Sequence, residues 1–554
     1  MKKLFALLLA ALMAFSLLAC QPAPAEDPTE PEQGATENAT PADNQENAAT
    51  ADGAQLEDGD KIVQGGEIVI GMNVDVNTHA GWRIRSGQEK LALSPVYETL
   101  MRFDENGEIQ PYLAESLVAD QDAKTYTVKL RDGITFSDGS PLDADALLWN
   151  FENFKENSQT SATHFGSVDH FEKIDDLTVA IHLTEWNTQI PYSLNSVAGI
   201  MYSKAAFEAH DYDWALENPV GTGPYVIVEN VSDSHKTYEK NPTYWNAEEP
   251  ATFDKITIKI IADKMSAQAA LINGEIDAYS GGDYAMIQNL VAQGFNHYTN
   301  KMWYRIMFLI FGSGIEGSPL ADVRVRQAIA YAIDSETIVK SLDYGQTFVS
   351  NQYAVEGTPF YNPDVVGYGY DVEKAKQLLA EAGYADGFKT KLSVGIDQAL
   401  DRYMVAIQGY LKEVGIELEL DYQETAIWTS KGIYETDEGM ILAGHGFGVN
   451  LVNQAVNNFS KRCIQGVGML KNSKIHPDDL DAALMSALSA ADNEKMLEYM
   501  HEAERLIIDE YCLGYPVVMC YGKDLITASD IIDDGFIADY NEFETWTKLY
   551  RIEE

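Results

Sequence analysis

Apolar and polar residues alternate from Glu67 onward, with Ile68, Ile70, Met72, Val74 and Val76 on one side, and this predicts a strand with a single dry face through residue 76. Tyr126, Val128 and Leu130, then Asp132-Gly133, then Ile134 and Phe136 predict a hairpin. The same period of two returns at Ile256, Ile258 and Ile260, at Leu392, Val394 and Ile396, and at Ile416, Leu418, Leu420 and Tyr422.

Helical spacing lies between these strands. Residues 372–382 follow a capping Asp371 and end before Gly383; residues 402–414 follow Asp401 and stop at Gly415. Residues 479–489 and 493–510 carry apolar positions at helical intervals, among them Leu480, Leu484, Leu488, Met496, Met500 and Ile507. Strands alternating with helices predict an α/β fold with mixed sheets flanked by helices. No internal repeat is visible.

The N-terminus changes the picture of where this fold works. Lys2-Lys3, an apolar run from Leu4 to Leu18 and the ending Leu17-Leu18-Ala19-Cys20 have the charge order of a secretory signal. Fifteen residues are short of the roughly 20 that cross a bilayer. The ending resembles a bacterial lipobox, in which Cys20 would be lipidated and become the first residue after removal of 1–19. Residues 21–60 hold eleven Asp or Glu, five Pro and no Lys, Arg or aromatic residue, a composition that cannot offset its ordering entropy by burial. Segment 20–60 therefore reads as a disordered acidic tether, spanning roughly 35 Å.

Residues 61–554 are too many for one hydrophobic core, which stops growing near about 250–300 residues, so at least two lobes are expected. The chain carries 39 basic and 86 acidic residues, net −47, which disfavours nucleic acid and anionic lipid as partners. Beyond Cys20 only Cys463, Cys512 and Cys520 remain, without CxxC spacing; one disulfide or three buried thiols are both open.

Catalytic patterns are missing from the sequence. The ten histidines include no metal-ligand pair at helical spacing, and His501-Glu502 lacks its second histidine because Arg505 stands there. No GxSxG elbow or Walker loop occurs. Gly221-Thr222-Gly223-Pro224-Tyr225 loses an amide at Pro224 and reads as a structural turn. No cofactor, metal or covalent chemistry is expected, with a carboxylate-pair hydrolase as the remaining enzymatic alternative.

Eight strings, in order, carry a resemblance: Val96-Tyr97-Glu98-Thr99-Leu100; Gln110 to Ser116; residues 129–145, KLRDGITFSDGSPLDAD; 219–225, PVGTGPY; Asn241 to Trp245; Gly274 to Ala278; 322–334, DVRVRQAIAYAID; and 371–384, DVEKAKQLLAEAGY. Together they resemble the peptide and nickel class of bacterial extracellular solute-binding proteins, family 5, the capture subunits of ABC importers. The resemblance implies a two-lobed periplasmic-binding-protein-like fold of type II with an extra subdomain in lobe one. Lobe one would comprise 61–300 plus 514–554, the subdomain about 98–218, and lobe two 301–513.

It further implies a monomeric lipoprotein that traps an oligopeptide between its lobes and passes it to the permease, touching the membrane only through its lipid. A binder of metal chelates or another small solute, and a ligand sensor, are the alternatives. Site residues implied are Trp303 and Tyr304 at the first crossing, Tyr515 and Tyr521 near the second, Asn77 and Trp82 after the first strand, Trp428, and His445 and Phe447 in the 440–450 segment. Core packing is the alternative for each ring. Peptide-binding relatives usually place an aspartate in that last segment to hold the peptide's α-amine. Here no Asp or Glu occurs between Glu438 and Asp478, so another acid holds the amine or the ligand has none. Arg83 and Arg85 are candidate cations from the opposite lobe.

Overall fold

Seven strands form one mixed sheet in the order Asn296–Thr299, Asp524–Thr527, Ala278–Ser280, Glu67–Met72, Lys255–Ile260, His235–Lys240 and Tyr225–Val231. The three central strands, from Ala278–Ser280 to Lys255–Ile260, run parallel. A second mixed sheet has the order Ile416–Gln423, Phe388–Gly395, Met440–Phe447, Tyr304–Phe311 and Gly514–Tyr521. A third, antiparallel sheet of Ala114–Asp120, Thr125–Leu130, Thr178–Leu183 and Val168–Lys173 lies in the segment inserted into the first half. The computed structural model describes residues 53–553 apart from 58, 77, 85–86, 301–303, 397–399, 425–426, 429–438, 448–450, 466–468 and 539–540; for 87–88, 445–447 and 464–465 it describes the backbone alone.

The first predicted strand ends at Met72 instead of Val76. Ile68, Ile70 and Met72 are fully buried, but Val74 is 49% exposed. Asp75 explains the break: its carboxylate accepts from the amides of Val76 and Asp233 and pairs with the buried Lys236 ammonium. The hairpin beyond Asp132-Gly133 does not form either. Thr125–Leu130 already pairs on both edges, so Ile134 and Phe136 find no ladder to join and fold into the subdomain core.

The helices follow the sequence more closely. Asp371 caps Val372–Glu381 by accepting from the Lys374 amide, and Gly383 takes the left-handed exit at φ 91°. The next predicted helix starts one residue early, at Asp401, where the acid sits in the first turn rather than capping it. Asn493–Arg505 is shorter than its apolar pattern because the ladder widens into a π turn over Leu506–Glu510.

Several of the family-like strings meet at one atom group. Glu98 is buried and accepts from Tyr112 and Tyr244 hydroxyls, the Trp245 indole and Thr222. Burial pushes its carboxyl above the ordinary range, and these four donors oppose the shift. Gly221 and Gly223 let the chain run against Val96: a Cβ would lie 2.1 Å from the Val96 carbonyl oxygen at Gly221, and 2.6 Å from that of Pro95 at Gly223. That turn is structural, as its proline suggested.

Candidate functional site

The two large sheets are joined by two neighbouring chain crossings. Asn296–Thr299 leaves the seven-stranded sheet and Tyr304–Phe311 enters the five-stranded one; Gly514–Tyr521 leaves that sheet and Asp524–Thr527 returns. The crossings run side by side, with Thr299 opposite Asp524, Tyr304 opposite Tyr521 and the Asn300 amide donating to Lys523 O at 3.3 Å. Phe447 ends its strand opposite Tyr304, so the 440–447 strand reaches the same edge.

Charge is concentrated at this edge. Lys523 Nζ donates to Glu544 Oε1 at 2.8 Å and Lys90 pairs with Glu542, both pairs nearly buried. These two pairs balance, and Asp524 is left over as an acid. Its Oδ2 is buried with no hydrogen-bond partner among the described residues, and desolvation pushes the carboxyl up to about 7. Asp524 lines a cavity of about 120 Å³ with Ser280, Gly281, Gly522, Lys523 and Glu544. Asn73 presses against Gly281, whose φ of 113° and missing Cβ permit the approach, and its Oδ1 is a second buried acceptor without a partner among the described residues. A water needs roughly 10–15 Å³ of such space, so the cavity has room for an ammonium group together with waters.

Across the crossings, Arg305 stands opposite Cys520 and Gly446, with its guanidinium over Gly444, where a Cβ would lie 2.3 Å from Nε. It has no carboxylate partner among the described residues. Among the described residues, one half thus offers an uncompensated acid and the other an uncompensated cation.

The expected site residues are distributed unevenly. Tyr521 is 43% exposed and rests on Phe348. Tyr304 opens its strand at the crossing but is buried. Tyr515, expected near the second crossing, lies instead at the far end of Gly514–Tyr521, opposite Leu309, where it is buried and shares a 3.0 Å hydroxyl contact with Ser335. Trp82 lies in the subdomain core, edge-on to Trp149 and Tyr202 and Phe207, because three rings already surround the site where its helix turn lands. Arg83 reaches the Tyr212 hydroxyl at 3.3 Å. Asn77, Arg85, Trp303 and the side chains of His445 and Phe447 lie outside the described residues, as does Cys20. The three later cysteines are buried free thiols.

Trp428 is 3% exposed and packs in the core of the five-stranded half, yet its indole N–H has no partner among the described residues. Sequence alone suggests that Trp428→Ala spares stability; this burial reverses that expectation, since emptying such a site costs about 3–5 kcal/mol. Trp428→Phe is the informative variant: it keeps most packing, so a ligand-dependent weakening by calorimetry without a large fall in melting temperature assigns the N–H to the ligand.

Asp524 and Arg305 were not singled out by sequence reading. The available signal was position, since each lies within a few residues of an expected crossing. Outside this edge, the inserted segment also touches the second half: Trp186, stacked on Tyr126 at 4.7 Å, donates to Ala490 O at 3.0 Å, and the Thr188 amide donates to Leu488 O.

Two helix-flanked sheets joined by paired crossings, with a third sheet inserted in one half, define a two-lobed solute-binding architecture. The chain belongs to the bacterial extracellular solute-binding proteins, family 5, whose profile matches residues 108–464. It is 26% identical over 445 residues to the heme-binding protein A of Haemophilus influenzae, covering 74% of this chain and 79% of that one. It is 26% identical to the nickel-binding periplasmic protein of Escherichia coli, covering 61% of this chain and 67% of that one. The periplasmic binding protein DppA of Helicobacter pylori, solved with peptide STSA, superposes with TM-score 0.72 at 22% identity, over 88% of this chain and 99% of that one. Members of this family are substrate-binding components of ABC importers and are not enzymes. Among the described residues no helix is long and apolar enough to cross a membrane.

Proposed function

We propose that this chain captures oligopeptides with a free α-amine between its lobes and delivers them unaltered to an ABC permease as a monomer anchored through lipidated Cys20. Lobe one comprises 61–300 plus 514–554, with the subdomain near 98–218, and lobe two comprises 301–513. The observation that supports the ligand class is the unpartnered Asp524 carboxyl at the small cavity, with Arg305 across the crossings. A zwitterionic chain presents an ammonium and a carboxylate, and each free charge matches one end. Asn73 Oδ1 supplies a second acceptor for the three ammonium hydrogens. Main-chain groups along 442–447, beyond the two residues paired with Phe388–Gly395, hold the peptide backbone without reading its sequence.

Calorimetry with a mixed tripeptide library tests this reading. Free-amine peptides are expected to bind and their N-acetylated counterparts to lose about 10- to 100-fold, the worth of a charge-assisted hydrogen bond. Heat only with nickel plus histidine assigns the scaffold to a metal chelate instead.

A further inference from the structure

We infer that the solvent face of the inserted sheet carries a divalent transition-metal site formed by His170, Glu172 and His182. The register of the Val168–Lys173 and Thr178–Leu183 strands places His170 directly opposite His182, with Glu172 two residues along the same face. One ligand atom from each of the three lies within 4.8 Å of the others. The imidazoles stack at 4.3 Å with planes 2° apart, and His182 Nε2 is 2.9 Å from Glu172 Oε2.

Metal–nitrogen and metal–oxygen bonds of about 2.0–2.2 Å require donor separations near 3 Å, so the His182–Glu172 edge already has the spacing of a shared ion. Closing the His170 edge takes only side-chain rotation on an exposed surface. Asp169 assists: a bulge at Val168/His170 turns its Oδ2 to within 2.9 Å of His170 Nδ1. A carboxylate on Nδ1 leaves Nε2 as the ligating nitrogen and fixes the ring, an arrangement found behind metal-bound histidines. Two imidazoles and one carboxylate select zinc, nickel or copper over calcium or magnesium, and leave coordination positions for water or an incoming group.

The alternative is a pair of ordinary surface histidine–carboxylate contacts. Position separates this site from the ligand edge: behind its strands lie Phe151, Phe165 and Phe171 of the subdomain core, and none of its residues belongs to a crossing. An ion here would tie the edge strand to its neighbour and stabilise the subdomain by mass action.

Titration of the full chain with zinc chloride, and separately with nickel chloride, is read by calorimetry and by melting temperature. One ion per chain and a rise in melting temperature are expected. His182→Ala and His170→Ala should each remove that heat and that rise, and Asp169→Asn should weaken binding about tenfold without abolishing it. Peptide binding should be unchanged in all three variants. Absence of metal binding by the wild-type chain, or equal binding by the His170→Ala/His182→Ala double variant, overturns the proposal.

Discussion

Replacing Asp524 with asparagine lowers affinity for a free-amine peptide by about 10- to 100-fold at pH 8, and leaves affinity for the N-acetylated peptide unchanged. The size follows from geometry. Among the described residues the lost carboxylate has no lysine partner, because Lys523 is engaged by Glu544 and Lys90 by Glu542. The pH dependence carries a second signature. Burial raises the Asp524 carboxyl to about 7, so at pH 5 the empty site holds a neutral acid, and an ammonium ligand must expel that proton. Affinity is therefore expected to rise roughly tenfold per unit between pH 5 and 7 and to level off above 8; the asparagine variant should show no such slope. Stability moves the other way. A carboxyl raised in the folded state costs the empty protein stability as pH climbs from its unfolded value near 4 toward 7, so Asp524→Asn should melt higher than wild type above pH 7. Binding lost together with stability would mark Asp524 as scaffold.

Arg326→Met carries the largest expected effect on folding. The side chain is 1% exposed, and its guanidinium donates to the carbonyls of Leu320, Ala321, Tyr511 and Cys512 at 2.5–3.1 Å. It thereby joins the start of the Val323–Ala332 helix to the turn after the π segment, where Cys512 holds a left-handed φ of 42°. Methionine fills much of the volume but leaves four buried acceptors unmet, at about 1–3 kcal/mol for each that water cannot reach. A loss of about 3–5 kcal/mol is expected in the empty protein, seen as a fall in melting temperature of roughly 6–15 °C where a unit of about 200 residues melts by itself, and of about 3–5 °C where the whole body melts together. Lysine should not restore it, since one ammonium cannot span the four carbonyls. A change under about 1 kcal/mol would show that the turn finds other donors.

The scaffold was legible where local chemistry decides. Asp371 caps its helix and Gly383 exits it as the sequence predicts, and the alternating isoleucines of 256–260 lie in a strand. Expectations failed where a distant residue intervenes. Nothing near Val74 announces that Asp75 will turn toward Lys236 and end the strand. Nothing near Asp132-Gly133 announces that Thr178–Leu183 already occupies the second edge of Thr125–Leu130.

The same division governs the site. Tyr304 and Tyr521 were expected at the crossings and face each other there. Trp82 was expected near the ligand, but its neighbours Tyr202 and Phe207 lie more than a hundred residues away and draw it into the subdomain core. Asp524 becomes conspicuous only once Lys523 and Lys90 are paired with Glu544 and Glu542. His170, Glu172 and His182 have no helical spacing in the sequence; a sheet brings them together.

Native mass spectrometry of the protein purified from its own cells tests the central claim most directly. The account predicts one bound, chemically intact peptide per chain, with a free amino terminus and a mass that does not change on prolonged incubation. A bound solute without an ammonium group, or a peptide that is cleaved while bound, would contradict it.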